Sequence, residues 1–261
     1  MRAALWLSAF LLLGCSSSDQ AAPPAGGTPP PAAASTTAPT TPPADPAADS
    51  SPAAQKTVSY EDLVNTDGHI DKGLPKTAGW GAKMPKDGDQ IAILTTNRGR
   101  IVVKFFPQVA PNHVANFVKL AKKGFYDGTK FHRVIPGFMI QGGDPNTKKD
   151  DTSIWGQGGP GYNINAEFND VLHTPGILSM ARTQDPNGAG SQFFIMVAKT
   201  ESLDHQYSVF GQVIEGQDVA EKIVESPRTT NMPNPNENDR PLKPQILEKV
   251  EITKWPIKLK D

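Results

Sequence analysis

One cysteine in 261 residues, Cys15, excludes an intrachain disulfide and any zinc site built on cysteines. Charge of either sign is not in excess. The 26 Lys+Arg stand against 27 Asp+Glu, a net charge of -1. Such a chain has no basic field with which to grip a phosphate backbone, so no nucleic-acid partner is expected. The five histidines, His69, His113, His132, His173 and His205, show no i, i+4 pairing, and no metal or other cofactor is assigned. No apolar run approaches the ~20 residues needed to cross a ~30 Å hydrocarbon core. Internal repeats are absent too. Proline, in contrast, is plentiful at 25, and its distribution is uneven.

The N-terminus reads as an address. Met1-Arg2 is followed by 11 mainly apolar residues, Ala3 to Leu13, a length suited to a secretory signal rather than a membrane span. The run ends in Leu12-Leu13-Gly14-Cys15, which resembles the bacterial lipoprotein signal. The resemblance implies cleavage after residue 14 and acylation of Cys15. An ordinary signal peptide with an incidental cysteine is the rival reading. Several acyl chains, at ~0.8 kcal/mol per buried CH₂, would hold the protein on a membrane without a transmembrane helix. Ser16, rather than Asp, follows the cysteine. By the lipoprotein resemblance this leans towards the outer membrane, facing the periplasm, if the source is Gram-negative.

A tether is expected next, over residues 15–56. Ala21 to Ala54 holds 10 Pro, 12 Ala, 5 Thr, 3 Ser, 2 Gly and 2 Asp, and nothing else. With no aromatic or branched aliphatic side chain it cannot offset the entropy of ordering, so an extended, polyproline-like spacer is predicted. A proline-rich ligand for a partner domain is less favoured, because no basic residue flanks the prolines. Residues 57–86 read as transitional, with a possible helical turn at Tyr60 to Leu63. Asn65-Thr66-Asp67-Gly68 briefly suggests a calcium loop. Placing Gly68 sixth puts Leu63 first and Leu74 last, where carboxylates are required, and a turn is preferred.

The globular domain is placed at residues 87–257. Ile91–Thr96 and Arg100–Phe106 are β-rich and joined by a turn at Asn97-Arg98-Gly99. Pro111 to Lys123 reads as a helix with Val114, Phe117, Val118 and Ala121 on one face, lysines at its end and Gly124 as its stop. Strands are expected at Phe131–Ile135, Phe138–Gln141, Ile177–Met180, Phe193–Val197, Tyr207–Ile214 and Ile246–Thr253. A second helix is expected over Gln217–Glu225. Many short strands with two helices suggest an antiparallel barrel covered at its ends.

The fourteen residues Phe131-His132-Arg133-Val134-Ile135-Pro136-Gly137-Phe138-Met139-Ile140-Gln141-Gly142-Gly143-Asp144 resemble the signature of the cyclophilins, the peptidyl-prolyl cis-trans isomerases. The similarity continues through Ala115-Asn116-Phe117, Gly176-Ile177-Leu178-Ser179-Met180-Ala181, Gly190-Ser191-Gln192-Phe193-Phe194-Ile195 and Val209-Phe210-Gly211. It implies a mainly β fold, a closed eight-stranded antiparallel barrel capped by two helices, monomeric, acting on proline-containing polypeptides. It also implies a catalytic Arg133, a proline pocket of Phe138, Met139, Phe194 and Leu203, Gln141 and Gln192 bonding substrate backbone, and Ala181 beside them. Gln141 is grouped with Arg133 as catalytic. His132 matches a family histidine near the site. Alternation turns it from Arg133, so a structural hydrogen bond is expected of its ring.

The chemistry is consistent with these residue types. Rotation about a peptide bond meets a barrier of ~18–20 kcal/mol because the nitrogen lone pair is delocalised. At the twisted transition state the lone pair returns to nitrogen, and a donor aimed at it stabilises that state above either planar isomer. Arginine keeps its charge at any physiological pH and carries five N–H donors. Taken without the resemblance, Arg133 reads more readily as a solvent-facing strand residue or one paired with a carboxylate, and Phe138, Met139 and Phe194 as core. Gly156-Gln157-Gly158-Gly159-Pro160-Gly161 lacks a following Lys-Ser/Thr and reads as a surface loop rather than a phosphate cradle.

Two departures from the family pattern stand out. Its eukaryotic members carry a tryptophan where this chain has Ser202, before Leu203, and a site histidine where it has Tyr207. The Arg182–Gly190 loop is also slightly longer. An active isomerase assisting exported proteins is the leading expectation. A peptide-binding module without turnover, or a surface recognition protein on the same scaffold, are the alternatives. Since the missing tryptophan contributes to binding cyclosporin, inhibition by that macrocycle should be weak while isomerisation persists; a titration giving nanomolar inhibition would refute this.

Overall fold

The computed structural model describes residues 83–233 and 237–257. The signal, Cys15, the tether and the Asn65 turn lie outside the described residues. Nine strands and two α-helices occur among the described residues: β1 Gln90–Thr96, β2 Gly99–Phe105, α1 Pro111–Lys122, β3 Thr129–Lys130, β4 Arg133–Ile135, β5 Met139–Gly142, β6 Ile177–Met180, β7 Phe193–Met196, β8 Val209–Glu215, α2 Gln217–Val224 and β9 Ile246–Lys254. They form one antiparallel sheet in the order β3-β9-β1-β2-β8-β6-β7-β5-β4. Thr96 faces Gly99 across the first hairpin, so Asn97-Arg98 is the turn the sequence points to.

The expected closed eight-stranded barrel is corrected to a curled half-barrel of nine strands. The reason lies in the stretch read as a single strand at 131–135. Lys130 pairs with Ile246 of β9, whereas Arg133 pairs with Gln141 of β5. Between them the backbone changes partners. The Phe131 N–H donates to Gln245 O at 2.8 Å and the His132 N–H to Gln141 O at 3.0 Å. β3 and β4 are thus the two edges of the sheet, joined by the chain itself rather than by a ladder.

Inside the curl lies one apolar cluster, with Phe117, Tyr126, Phe131, Phe193 and Phe210 at its heart. Phe117 stacks on Tyr126 at 4.8 Å and meets Phe193 edge-on at 5.5 Å, geometries that add to their area burial. Both helices lend their predicted faces to this cluster: Val114, Phe117, Val118 and Ala121 from α1, and Val219, Ile223 and Val224 from α2. Helix α1 ends as its glycine foretells. Gly124, at φ +66°, donates to Ala121 O and Phe125 donates to Leu120 O, the paired bonds of a Schellman stop. The packed body begins before the expected residue 87. Met84 packs on the outer cluster of Ile91, Val102 and Ile214, and Lys104 Nζ donates to Lys83 O at 2.7 Å.

The start of α1 has no side-chain cap of its own, since Ala110 precedes it. Glu167, far along the chain, supplies one. Its carboxylate accepts from the Asn112 and His113 N–H groups at 3.0 and 2.9 Å and meets His113 Nδ1 at 2.6 Å. Burial alone would raise its pKa, but the hydrogen bonds from His113 and from the two backbone N–H groups win and hold it below its ordinary 4.5. A depressed carboxyl stabilises the fold above its unfolded pKa and loses that contribution as pH falls through the folded value. Glu167→Gln should therefore cost about 1 kcal/mol near neutrality, and the gap from wild type should close as pH falls from the ordinary carboxyl value through the lowered folded one, as checked by urea unfolding across pH.

Candidate active site

Strand pairing builds the site from a single row. Arg133 of β4 faces Gln141 of β5, Gln141 faces Phe194 of β7, and Phe194 faces Ser179 of β6. The four side chains therefore project from one face of the sheet, the outer one. The next row along, Ile135–Met139–Met196, has the same orientation. Rows in between, such as Val134–Ile140–Ile195–Leu178, point into the interior cluster.

On that outer face sits a second apolar cluster, distinct from the interior. Met139, Phe194, Met196, Ile177 and Val209 are buried in it, with Phe138, Ala181, Leu203 and Tyr207 packed at its edge. Phe138 reaches it from the Pro136-Gly137 turn, where its N–H donates to Ile135 O at 3.0 Å. Leu203 comes from a one-turn 3₁₀ helix, Glu201–Leu203. The Phe194 ring is held on two sides. His173 stacks on it at 6.0 Å, and Tyr207 meets it edge-on at 5.8 Å. His173 is itself fixed, its Nδ1 3.0 Å from Asp204 and its Nε2 3.1 Å from Ser179 Oγ.

A cavity of about 520 Å³ opens over this cluster. Of the residues the sequence singled out, it brings together His132, Arg133, Phe138, Met139, Gln141, Ala181, Phe194, Leu203 and Tyr207. Gln192 lines an adjoining cavity of about 800 Å³, which shares Gln141, Ala181 and Arg182 with the first. Ser202 stands on the exposed side of the Leu203 turn, where its carbonyl accepts from Gln206.

A hydrogen-bonded relay holds the polar side of the cleft. Arg133 Nη1 donates to Gln141 Oε1 at 3.4 Å, and Gln141 Nε2 donates to Gln192 Oε1 at 3.0 Å. Gln192 Nε2 in turn donates to the carbonyls of Gly156 and Gly158 at 2.9 and 2.8 Å. Asp144, fully buried, ties that glycine loop down by accepting from the Gly156 N–H. A side chain on residue 158 would run into the Asp144 carboxylate and Asn146, so glycine is required there. The segment read as a plain surface loop is a wall of the cleft.

Burial lowers the His132 imidazole to about 4, against the opposing pull of Asp144 and the Lys130 backbone, so the ring is neutral near pH 7. The structural hydrogen bond expected of it is not found at Nδ1, which is buried without a partner of good geometry. Burial likewise lowers His173, partly offset by Asp204. Arg133 is exposed at the rim and takes part in none of the ion pairs among the described residues. No group of three potential metal ligands occurs among the described residues.

Several lining residues escaped the sequence analysis. Thr152 and Trp155 come from the Lys148–Gly156 loop, Arg182 from the end of β6, and Asn238, Asp239 and Arg240 from a segment whose Asp239 carbonyl accepts from the Val134 N–H on the open edge of β4. They lie in irregular segments without periodicity, and of them only Arg182 was touched on, as the start of the longer Arg182–Gly190 loop.

The chain matches the family model of cyclophilin type peptidyl-prolyl cis-trans isomerases over residues 91–252. It belongs to that family and is a peptidyl-prolyl cis-trans isomerase. Among its relatives, a peptidyl-prolyl cis-trans isomerase of Synechococcus elongatus is 50% identical over 137 residues, covering 52% of this chain and 88% of that one. Peptidyl-prolyl cis-trans isomerase A of Mycobacterium tuberculosis is 41% identical over 179 residues, covering 62% and 91%. Among solved structures, a cyclophilin type isomerase of Cryptosporidium parvum, determined in the presence of the dipeptide Ala-Pro, is 30% identical with a TM-score of 0.55, covering 62% of this chain and 98% of that one.

Proposed function

We propose that the protein accelerates X-Pro isomerisation by donation from Arg133 to the twisted amide nitrogen, while the proline ring occupies the slot of Phe138, Met139, Phe194 and Leu203. The observation that carries this is the juxtaposition of an exposed, carboxylate-free guanidinium with that apolar slot, lining one cavity. The Cryptosporidium relative was solved with Ala-Pro, a ligand of the same chemistry. In this scheme Gln141 orients Arg133 and, with Gln192 and Ala181, lies alongside the substrate backbone. Tyr207 and His132 shape the pocket walls without exchanging protons.

The donor gains most when the nitrogen lone pair reappears, which is the requirement for lowering a barrier rather than merely binding. Removing one preorganised donor of this kind costs about 10²- to 10³-fold in rate. Arg133→Ala should lose kcat/KM on a neutral X-Pro peptide by that order in a protease-coupled or NMR exchange assay. Exchange equal to wild type would refute the assignment.

The clients would be exported or envelope proteins, met by an enzyme anchored through lipid on Cys15 and held off the membrane by the proline-rich tether. Two signs in the sequence support this, the Gly14-Cys15 junction after an apolar run and the 34-residue spacer. Expressed in a bacterium, the wild type should fractionate with membranes and Cys15→Ser with soluble protein. Retention of the serine variant in the membrane fraction would overturn the anchor.

A further inference from the structure

The three cavities that meet at the cleft carry a charge pattern unlike that of the whole chain. Arg133, Arg182 and Arg240 line the central one, and Lys130 lines a third cavity that shares Trp155 and Arg240 with it. Asp239 is the one carboxylate lining any of the three, and it is bonded to Arg228 at 3.1 Å. Arg240 lies 3.8 Å from Glu237, but Arg133, Arg182 and Lys130 take part in none of the ion pairs among the described residues, so a chain of net charge -1 presents a cationic cleft.

Arg182 is the cation best placed to use that field. It lines both the proline cavity and the adjoining glycine-loop cavity, so a peptide running from one to the other passes it. Its guanidinium is built in rather than loose. It lies 4.6 Å over the Tyr207 ring and 5.7 Å from that of Phe168, and Tyr207 packs against Phe194. Its Nε donates to Gln206 O at 3.2 Å, and its Nη1 to Thr183 O at 2.9 Å and Gln184 O at 3.2 Å. Carbonyls and rings orient a guanidinium without cancelling its charge. No ion pair among the described residues includes it, and the nearby Asp185 carboxylate accepts instead from the Asn187 N–H at 2.9 Å.

We infer that Arg182 makes this isomerase selective for prolyl segments with an acidic side chain flanking the proline. The inference rests on the cleft being the substrate site, as proposed above. A preoriented cation at the rim pays little entropy to meet a carboxylate, and it repels a lysine or arginine at the same place. Being partly solvated, the pair gives selectivity of modest size that salt weakens.

The test compares peptide pairs that differ only in Glu against Gln, placed two residues before, one before or one after the proline. With wild type at low ionic strength, kcat/KM should favour Glu about two- to fivefold in at least one position. Arg182→Gln should bring that ratio to near one, and Arg182→Lys should keep part of it. The ratio within each variant is the readout, so a general loss of activity does not blur it. A wild-type ratio near one at every position, or a ratio unchanged in Arg182→Gln, would overturn the inference. If Arg182→Gln does not fold, the wild-type ratio decides, since an acid preference untouched by 0.5 M salt is not this contact. Failure of wild type to turn over even the Gln peptides would instead tell against the proposed substrate site.

Discussion

The register of four short strands is the constraint on which the cleft depends. Side chains alternate along a strand, so a slip of β7 by one residue against β5 would turn Phe194 inward and Phe193 outward, parting Phe194 from Gln141. What forbids the slip is on the other side of the sheet. Phe193 is locked among Phe117, Tyr126 and Phe131 at 5.5 to 6.3 Å. Expelling that ring would cost more than most single changes in a protein core. The interior aromatic cluster therefore positions Phe194 and Gln141 without touching a substrate. Adjacent phenylalanines on one strand divide the labour, one holding the fold and the next facing the cleft.

Register places the residues, and a relay orients them. Asp144 holds the glycine loop, two loop carbonyls hold Gln192, Gln192 holds Gln141, and Gln141 meets Arg133. Each amide in the chain both donates and accepts, which fixes its rotamer and flip together. The apolar side is supported in a parallel way, by the Asp204–His173–Ser179 bonds behind the Phe194 ring. The polar support meets the cleft through neutral amides, and burial lowers the pKa of His173 in the other and of His132 beside them. The charged groups lining the central cavity are then three guanidinium groups and the Asp239 carboxylate, which is bonded to Arg228.

Much of this was legible in the chain before any coordinates. The Phe131–Asp144 stretch and the Gly190–Ile195 stretch identify the row, since strand alternation pairs Gln141 with Met139 and Gln192 with Phe194 on one face. Helix α1 could be placed because apolar spacing, lysines and the terminal Gly124 all agree, and α2 because Val219, Ile223 and Val224 share a spacing. Barrel closure could not be read, since the break at Phe131-His132 comes from a change of hydrogen-bond partner and not from any change in side-chain type. The roles of Glu167, Asp144 and Arg182 were equally hidden. Each acts on a residue brought near by tertiary folding, and a lone carboxylate or arginine in an irregular segment looks the same whether it caps a distant helix or faces solvent.

The state of Arg133 follows from what the proposed chemistry demands of it. A carboxylate partner would fix the guanidinium more firmly than Gln141 does, but it would also spend the charge in the ground state. Since only interactions stronger at the twisted geometry accelerate the reaction, a paired arginine would bind more and catalyse less. Full burial would fail differently, because an uncompensated charge away from water costs several kcal/mol. An exposed cation, loosely guided by an amide at 3.4 Å, avoids both losses. The same reasoning applies to Arg182, steadied by rings and carbonyls. In the proposed reaction each keeps its positive charge available for a proline-bearing chain in the cleft.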